Sequence, residues 1–153
     1  PDDGGAEPPP SARLGRWGEE QAARYLEARG FRILGRRVRF GRDELDLVAR
    51  LGEGRRAQLV FVEVKTRRSP EFGGPLAALN RRKRHALCRA AARYLRRLPP
   101  PPPPFRFDAV EVIGAPDTPG APALRHFENA FPMEARYVTP WLAGRTRPPP
   151  RHA

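Results

Sequence analysis

The sequence has few residues of the kinds that form covalent cross-links or metal cages. Its single cysteine, Cys88, excludes a disulfide within the chain. The three histidines (His85, His126 and His152) are scattered without ligand spacing, so they do not predict a zinc site. The chain also lacks an uninterrupted apolar run long enough to span a bilayer, and no signal-peptide pattern opens it. We therefore expect a cytoplasmic protein that does not enter a membrane.

Lysine is scarce although the chain is strongly basic. Of the 29 Lys and Arg residues, 27 are arginine and two are lysine, Lys65 and Lys83. The formal net charge is +12. Such a charge favours a polyanionic partner, nucleic acid or an acidic membrane surface, unless the arginine content merely reflects base composition and a solvated surface. Lysine carries a compact ammonium group, whereas arginine carries a delocalised guanidinium. Lys65 is therefore interpreted as a position that requires a point charge; the alternative is that lysine occurs here by chance.

Proline-rich segments divide the chain into a domain and two tails. Residues 1–10 combine proline, glycine and acidic residues, and residues 132–153 combine proline and arginine, so we expect both to be loosely ordered. The segment between them, residues 11–131, is long enough for one domain with a buried core. Within it, the six prolines at 99–104 predict an extended connector.

Hydrophobic periodicity predicts an α/β fold. The first helix is expected over about residues 12–29, with Ser11 as its N-cap and Gly30 as a left-handed C-terminal cap. The later elements are a strand over 31–40 with a bulge at Gly35, two strands within 41–66, a helix over 75–98, a strand over 105–113 and a short segment around 124–127. This order predicts a three-layer core whose mixed sheet is an antiparallel meander followed by a helical crossover to a parallel neighbour.

Residues 41–66 hold the main cluster of chemically active side chains. They are interpreted as two strands joined by a tight turn, and on the second strand Glu63 and Lys65 share a face. If the turn is centred just after Gly54, antiparallel pairing places Asp46 directly opposite Glu63 and on the same face. A slip of one residue would move Asp46 to the other face. This register therefore predicts two converging carboxylates with Lys65 close by.

Such a site suits a hard divalent cation. Mg²⁺ (or Mn²⁺) prefers oxygen ligands and keeps several waters, and it can activate a water for attack on a phosphodiester. We expect Asp46 and Glu63 to be metal ligands, with Glu19 on the first helix as a further ligand directly or through water. Lys65 would orient the attacking water or stabilise charge, and Glu44 is a supporting candidate. The alternatives are a structural ion network for the strand residues and a solvated surface position for Glu19.

A basic surface is expected beside this cluster. Its members are predicted to face nucleic-acid phosphates, although a solvated face is the alternative. They are Lys83, Arg81, Arg82, Arg67 and Arg68.

Several motifs occur in a fixed order over residues 14–131. They are Gly15, Gly18 and Glu19 with Tyr25-Leu26, the segments 44–49 (ELDLVA) and 60–65 (VFVEVK), Lys83, and the segments 91–95 (AARYL), 106–108 (RFD) and 126–131 (HFENAF). On these motifs the chain resembles the YraN-like family of bacterial proteins, which implies a restriction-endonuclease-like fold. The set of a helix Glu, a strand Asp and Glu-x-Lys is also distantly similar to archaeal Holliday-junction resolvases. One departure is Asp43, which stands where the family usually has glycine and adds a carboxylate near the site.

Three functional classes follow from these observations. The first is a metal-dependent endonuclease acting on nucleic acid, with DNA favoured over RNA. The second is a nucleic-acid-binding module of the same fold without catalysis, and the third is a basic scaffold for a protein partner. A homodimer is a further expectation, because many nucleases of the implied fold act as dimers.

Overall fold

The computed structural model describes residues 7–70 and 74–137 of the chain. Most of the two predicted tails (residues 1–6 and 138–153) therefore lies outside the described residues. The helices and strands, in chain order, are α1 (Pro10–Glu27), β1 (Phe31–Phe40), β2 (Asp43–Leu51), β3 (Gln58–Arg67), α2 (Gly74–Ala78), α3 (Arg81–Arg96), β4 (Phe105–Ile113) and β5 (Ala123–Phe131). Short 3₁₀ turns follow β2 (Gly54–Arg56) and β5 (Ala135–Tyr137).

The five strands form one mixed sheet in the spatial order β1-β2-β3-β4-β5. Adjacent strands are antiparallel except for β3 and β4, which are parallel and are connected through α2 and α3. The predicted meander and helical crossover are therefore confirmed, as is the bulge at Gly35, where the β1–β2 register shifts. Within the described ranges, the fold is a mixed α/β arrangement with three α-helices.

Helices cover both faces of the sheet and give it two separate cores. On one face, Leu26 of α1 packs with Leu47, Val60 and Val110. On the other face, the apolar side of α3 packs against a second group of strand side chains that includes Phe61. Because β3 is buried from both sides at its centre, its near-continuous apolar run is the expected pattern for an interior strand.

The start of the first helix and the continuity of the second differ from the prediction. Ser11 is not the N-cap, because α1 begins at Pro10, whose fixed φ suits the first helical turn. No side chain from residues 7–70 or 74–137 caps this helix start. The second helix is broken at Leu79 and Asn80 instead of running continuously over 75–98. Asn80 is extended (ψ 171°), and its side-chain oxygen accepts a hydrogen bond from the backbone N–H of Lys83 at 2.9 Å. This capping bond stabilises a new helix start and explains the break.

The last strand is longer than the predicted segment around 124–127. It continues to Phe131 through an irregularity opposite Asp108, where Asn129 takes a positive φ of 52°. The buried Asp108 carboxylate accepts the Asn129 N–H at 2.9 Å, and it also contacts Arg106 at 2.9 Å and His126 at 2.8 Å. The side chains thus replace ladder hydrogen bonds that the irregularity removes.

The helices within residues 7–70 and 74–137 are too short or too polar to cross a membrane.

Candidate functional site

The register of β2 and β3 brings two carboxylates together. The observed pairs run from Leu51 opposite Gln58 to Leu47 opposite Val62, which is the register predicted from the turn. Beyond Leu47 the backbone pairing ends. Here the backbone N–H of Val64 donates to Oδ2 of Asp46 at 2.8 Å. The Asp46 side chain thereby accepts a hydrogen bond from a backbone N–H of β3, and this bond holds it beside Glu63.

Asp46 and Glu63 lie close enough for each carboxylate to influence the other, and their surroundings disfavour two negative charges. Burial, followed by the nearby charge of Asp46, raises the pKa of Glu63 to about 8. Burial also raises the pKa of Asp46, although the Val64 N–H opposes that shift by stabilising the ionised carboxylate. The pair is therefore a partly desolvated anionic centre that a cation would stabilise.

Lys83 supplies one cation to this centre. Its Nζ lies 3.1 Å from Oε1 of Glu63, whereas Oε2 of Glu63 is buried and has no hydrogen-bond partner among the described residues. Desolvation lowers the pKa of Lys83, but Glu63 and Asp46 outweigh it and the net shift is upward. The carboxylates around Lys83 thus stabilise its ammonium form, although its burial opposes that form.

The sequence predicted Lys83 as a phosphate-facing residue and did not assign it to the carboxylate cluster. The scarcity of lysine was the available signal, since both lysines of the chain lie beside Glu63. The position of Lys83 depends on the helix break at Asn80, which periodicity alone did not reveal.

Lys65 is exposed at the end of β3 and makes no ion pair with any residue of the described ranges. It follows Glu63 by two positions, so the two side chains leave the same face of the strand. The predicted proximity of Asp46, Glu63 and Lys65 is therefore present, and the Lys65 ammonium is accessible to a ligand.

Two adjoining clefts meet at Glu63 and Lys65. One has a volume of about 290 Å³ and extends toward the α2–α3 break. The other has a volume of about 350 Å³ and extends along α1. The first is lined by Glu63, Lys65, Ala78, Leu79, Asn80, Lys83 and Ala109. The second is lined by Ser11, Leu14, Gly15, Glu19, Asp46, Glu63, Val64, Lys65 and Thr66.

Glu19 enters the second cleft because α1 approaches β3 closely. A Cβ atom on Gly18 would lie 1.8 Å from Oγ1 of Thr66, so only glycine permits this contact. Burial and then the charge of Asp46 raise the pKa of Glu19, and Arg37 lies 3.7 Å from its Oε2. Glu20, by contrast, points outward and pairs with Arg24 and Arg36.

Two other carboxylates near the site are bound by arginine. Glu44 pairs with Arg39 at 2.6 Å and with Arg37 at 3.4 Å, and its charge acts on Glu19, Asp46 and Lys83 from a distance. Asp43, the departure from the family pattern, accepts both Nε and Nη2 of Arg89 at 3.0 and 2.9 Å. It is thus neutralised by α3 and does not join the carboxylate pair.

The predicted phosphate-facing residues occupy different environments. Arg81 and Arg82 are exposed at the start of α3, next to the cleft that Lys83 lines. Arg68 pairs with Asp117 at 2.8 Å on the surface, and Arg67 is half-buried near the end of β3. Contact with nucleic acid remains a prediction for all of them.

The donor set suits a hard cation with few protein ligands. Across residues 7–70 and 74–137, no group of three or more His, Cys, Asp or Glu side chains is arranged to hold a metal. Mg²⁺ is commonly held by one or two carboxylates, with waters and substrate phosphates completing its shell. Asp46 and Glu63 fit that requirement, since Oε2 of Glu63 has no hydrogen-bond partner in the part of the chain that the structure describes. The role of Glu19 as a further ligand stays a prediction.

Comparison with known proteins gives one consistent assignment. Residues 18–112 match the sequence profile of the uncharacterised protein family UPF0102. A UPF0102 protein of Symbiobacterium thermophilum is 48% identical over 121 residues, which cover 79% of this chain and 98% of the relative. Relatives from Syntrophomonas wolfei (42% identical; 77% and 96% covered) and Frankia alni (45% identical; 77% and 93% covered) carry the same family designation.

Proposed function

The chain belongs to the UPF0102 family, as its resemblance to YraN-like proteins predicted, and we propose that it is a metal-dependent nuclease that hydrolyses phosphodiester bonds, in DNA rather than RNA. The observation that carries this proposal is the convergence of Asp46 and Glu63 at the end of β3. Their carboxylates are partly desolvated, one Glu63 oxygen has no partner in the described structure, and two lysines lie alongside.

The proposal includes a restriction-endonuclease-like fold. Its support is the order of elements: a helix, an antiparallel meander, a helical crossover and a parallel strand, with the candidate residues on α1, β2 and β3. Fold alone does not establish activity, so the chemistry of the site is the main argument.

Each candidate residue has a distinct proposed task. Asp46 and Glu63 would hold Mg²⁺, and Glu19 would contribute through a water at the edge of the second cleft. When bound, the cation would polarise the phosphoryl oxygen and lower the pKa of a bound water. Lys65 would stabilise the negative charge that develops on the phosphate, because its ammonium is exposed and has no ion-pair partner among the described residues.

The proposal is tested by incubating the protein with labelled duplex, single-stranded, flap, four-way-junction and RNA substrates. We expect cutting of DNA with Mg²⁺ or Mn²⁺ and no cutting with a chelator. Cleavage of RNA alone would contradict the DNA assignment, and absence of cleavage from every substrate under both metals would contradict the nuclease.

Lys65→Met provides a sharper test of the same chemistry. Because Lys65 is exposed and has no ion-pair partner in the described ranges, we expect stability within about 0.5 kcal/mol of wild type. The single-turnover cleavage rate should fall roughly a hundredfold or more, as for loss of one charge-stabilising donor. An unchanged rate would remove Lys65 from the catalytic set.

The Lys83–Glu63 ion pair favours a second candidate function. An ammonium already neutralises part of the carboxylate centre, which would suit a nucleic-acid-binding module that does not hydrolyse its ligand. Salt-sensitive binding of DNA without cleavage under any metal would support this candidate.

A further inference from the structure

The two lysines of the chain lie on the same cleft, on either side of Glu63. Lys65 follows Glu63 on β3, and Lys83 reaches Glu63 from the first turn of α3. Each remaining basic residue is arginine. The two ammonium groups differ in one respect, since Lys83 is engaged with Glu63 whereas Lys65 makes no ion pair with a described residue.

In the Lys83–Glu63 pair, the lysine head group is the part that can move. The backbone of Lys83 is fixed by its hydrogen bond to Asn80, but its side chain is 41% exposed. Glu63 extends from an interior strand, and its side chain is only 14% exposed. A lysine stem carries several rotatable bonds, so the ammonium can leave Glu63 without any change in the helix or the sheet.

The cleft beside this pair offers the ammonium a second position. Its volume of about 290 Å³ corresponds to roughly ten water molecules, enough for a phosphate group with part of its hydration shell. Lys65 and Asn80 border the same space, so an anion there would meet two ammonium groups and an amide.

We propose that Lys83 is an internal counter-ion of Glu63 that a divalent cation displaces and that then binds a substrate phosphate in this cleft. The inference rests on the proposed nuclease function and adds a role for a residue outside the strand motif. When Glu63 is ionised in the metal-free protein, Lys83 offsets the charge of this buried carboxylate, which would be costly without a partner. With a cation on Asp46 and Glu63, the ammonium is repelled and becomes available to the phosphate.

The exchange predicts opposite effects of one substitution on two ligands. Lys83 and the cation compete for the same carboxylate, so removal of the ammonium should strengthen metal binding. The same removal should weaken nucleic-acid binding, because one phosphate contact is lost. A purely structural ion pair would not produce this pair of opposite changes.

The test is calorimetric titration of Mn²⁺ into wild type, Lys83→Met, Lys83→Arg and Arg82→Met, with thermal unfolding to confirm that each variant folds. Arg82→Met is the matched control, because it removes one charge from the adjacent position of α3 without an ion pair to any described residue. We expect Lys83→Met to bind Mn²⁺ about fivefold more tightly, and Arg82→Met to stay within about twofold of wild type. With Ca²⁺ in place of Mn²⁺, Lys83→Met should bind a DNA oligonucleotide several-fold more weakly, and Lys83→Arg should recover part of that loss.

Metal affinity that is unchanged or weaker in Lys83→Met would overturn the inference, as would an equal gain in Arg82→Met. Suppose that wild type binds Mn²⁺ and cuts DNA, and that Lys83→Met has the same affinity as wild type for both Mn²⁺ and DNA. The inference then fails and the proposed nuclease function stands. If wild type binds no Mn²⁺, both fail together.

Discussion

Glu63 is a buried carboxyl residue whose ionised form is unfavourable in the metal-free folded protein. Burial and the neighbouring Asp46 oppose its charge, Lys83 supports it, and one of its oxygens has no partner in the described part of the chain. A buried carboxyl with a raised pKa is a frequent feature of catalytic and metal-binding sites. The same features predict that this residue lowers the stability of the metal-free protein at neutral and higher pH.

The first prediction concerns the pH dependence of stability without metal. The pKa of Glu63 is about 8 in the folded protein and near 4.5 when unfolded, so between these values the folded state binds more protons and stability falls as pH rises. Glu63→Gln removes this cost. In a chelator, we expect the substitution to raise the free energy of unfolding by on the order of a few kcal/mol at pH 8, and by little at pH 5.

Thermal or urea unfolding of wild type and Glu63→Gln at the two pH values measures this difference. Added Mg²⁺ should reduce the difference in unfolding free energy between the two proteins at pH 8, because it stabilises wild type alone. Equal destabilisation of the variant at both pH values would mean that the ion pair with Lys83 outweighs burial.

At the scale of elements, the site depends on the close packing of α1 against the end of β3. Gly18 and Thr66 set this distance, and Glu19, the next residue of the helix, is thereby directed into the cleft. The break between α2 and α3 has a comparable effect on the other side, since Asn80 starts the helix that carries Lys83. Two local features therefore determine which side chains meet.

The second prediction tests the α1–β3 contact. Gly18→Ala would place a Cβ 1.8 Å from the Thr66 hydroxyl, so α1 must shift; we expect a loss of about 1–3 kcal/mol in unfolding free energy. Gly15→Ala is the matched control, because its Cβ would meet no atom within 4 Å and alanine favours helix, for an expected gain of up to about 1 kcal/mol. Chemical denaturation measures the unfolding free energy of the two variants. Equal stability of Gly18→Ala and Gly15→Ala would contradict the close contact between Gly18 and Thr66.

Much of the secondary structure and strand pairing could be predicted from the sequence, because the residues that determine them are close together in the chain. The bounds of β1 and β4, the bulge at Gly35 and the β2–β3 register agree with periodicity and turn position. Periodicity did not predict the break at Asn80 or the extension of β5, since both depend on side chains that bond to backbone groups. The contact between Lys83 and Glu63 joins residues far apart in the chain and required the three-dimensional arrangement.

For the whole molecule, the main feature is an acidic site in a basic chain. The sequence has 17 acidic residues against 29 basic ones, and several of the acids, such as Asp43, Glu20 and Glu44, are already paired with arginine. The excess positive charge would draw a polyanion to the protein, while the carboxylate pair supplies a local negative centre for a cation. A nuclease requires this combination, whereas a basic scaffold does not need the carboxylates.

The third prediction concerns the salt dependence of nucleic-acid binding. If about four phosphates are contacted, the affinity for a DNA duplex should fall roughly a hundredfold between about 50 and 200 mM salt. Arg81→Met with Arg82→Met should reduce the slope of log K against log salt by about two units. Fluorescence anisotropy measures both quantities, and salt-insensitive binding would favour a protein partner over nucleic acid.

The most direct test of the central claim is single-turnover cleavage by Asp46→Asn across a Mg²⁺ titration, with Glu20→Gln as control. Both variants neutralise one carboxylate, but Asp46 belongs to the desolvated pair and Glu20 is an exposed partner of arginines. We expect Asp46→Asn to lose roughly a hundredfold or more of the rate at every Mg²⁺ concentration, and Glu20→Gln to match wild type. Equal rates for Asp46→Asn and wild type would contradict the assignment of the carboxylate pair as the catalytic metal site.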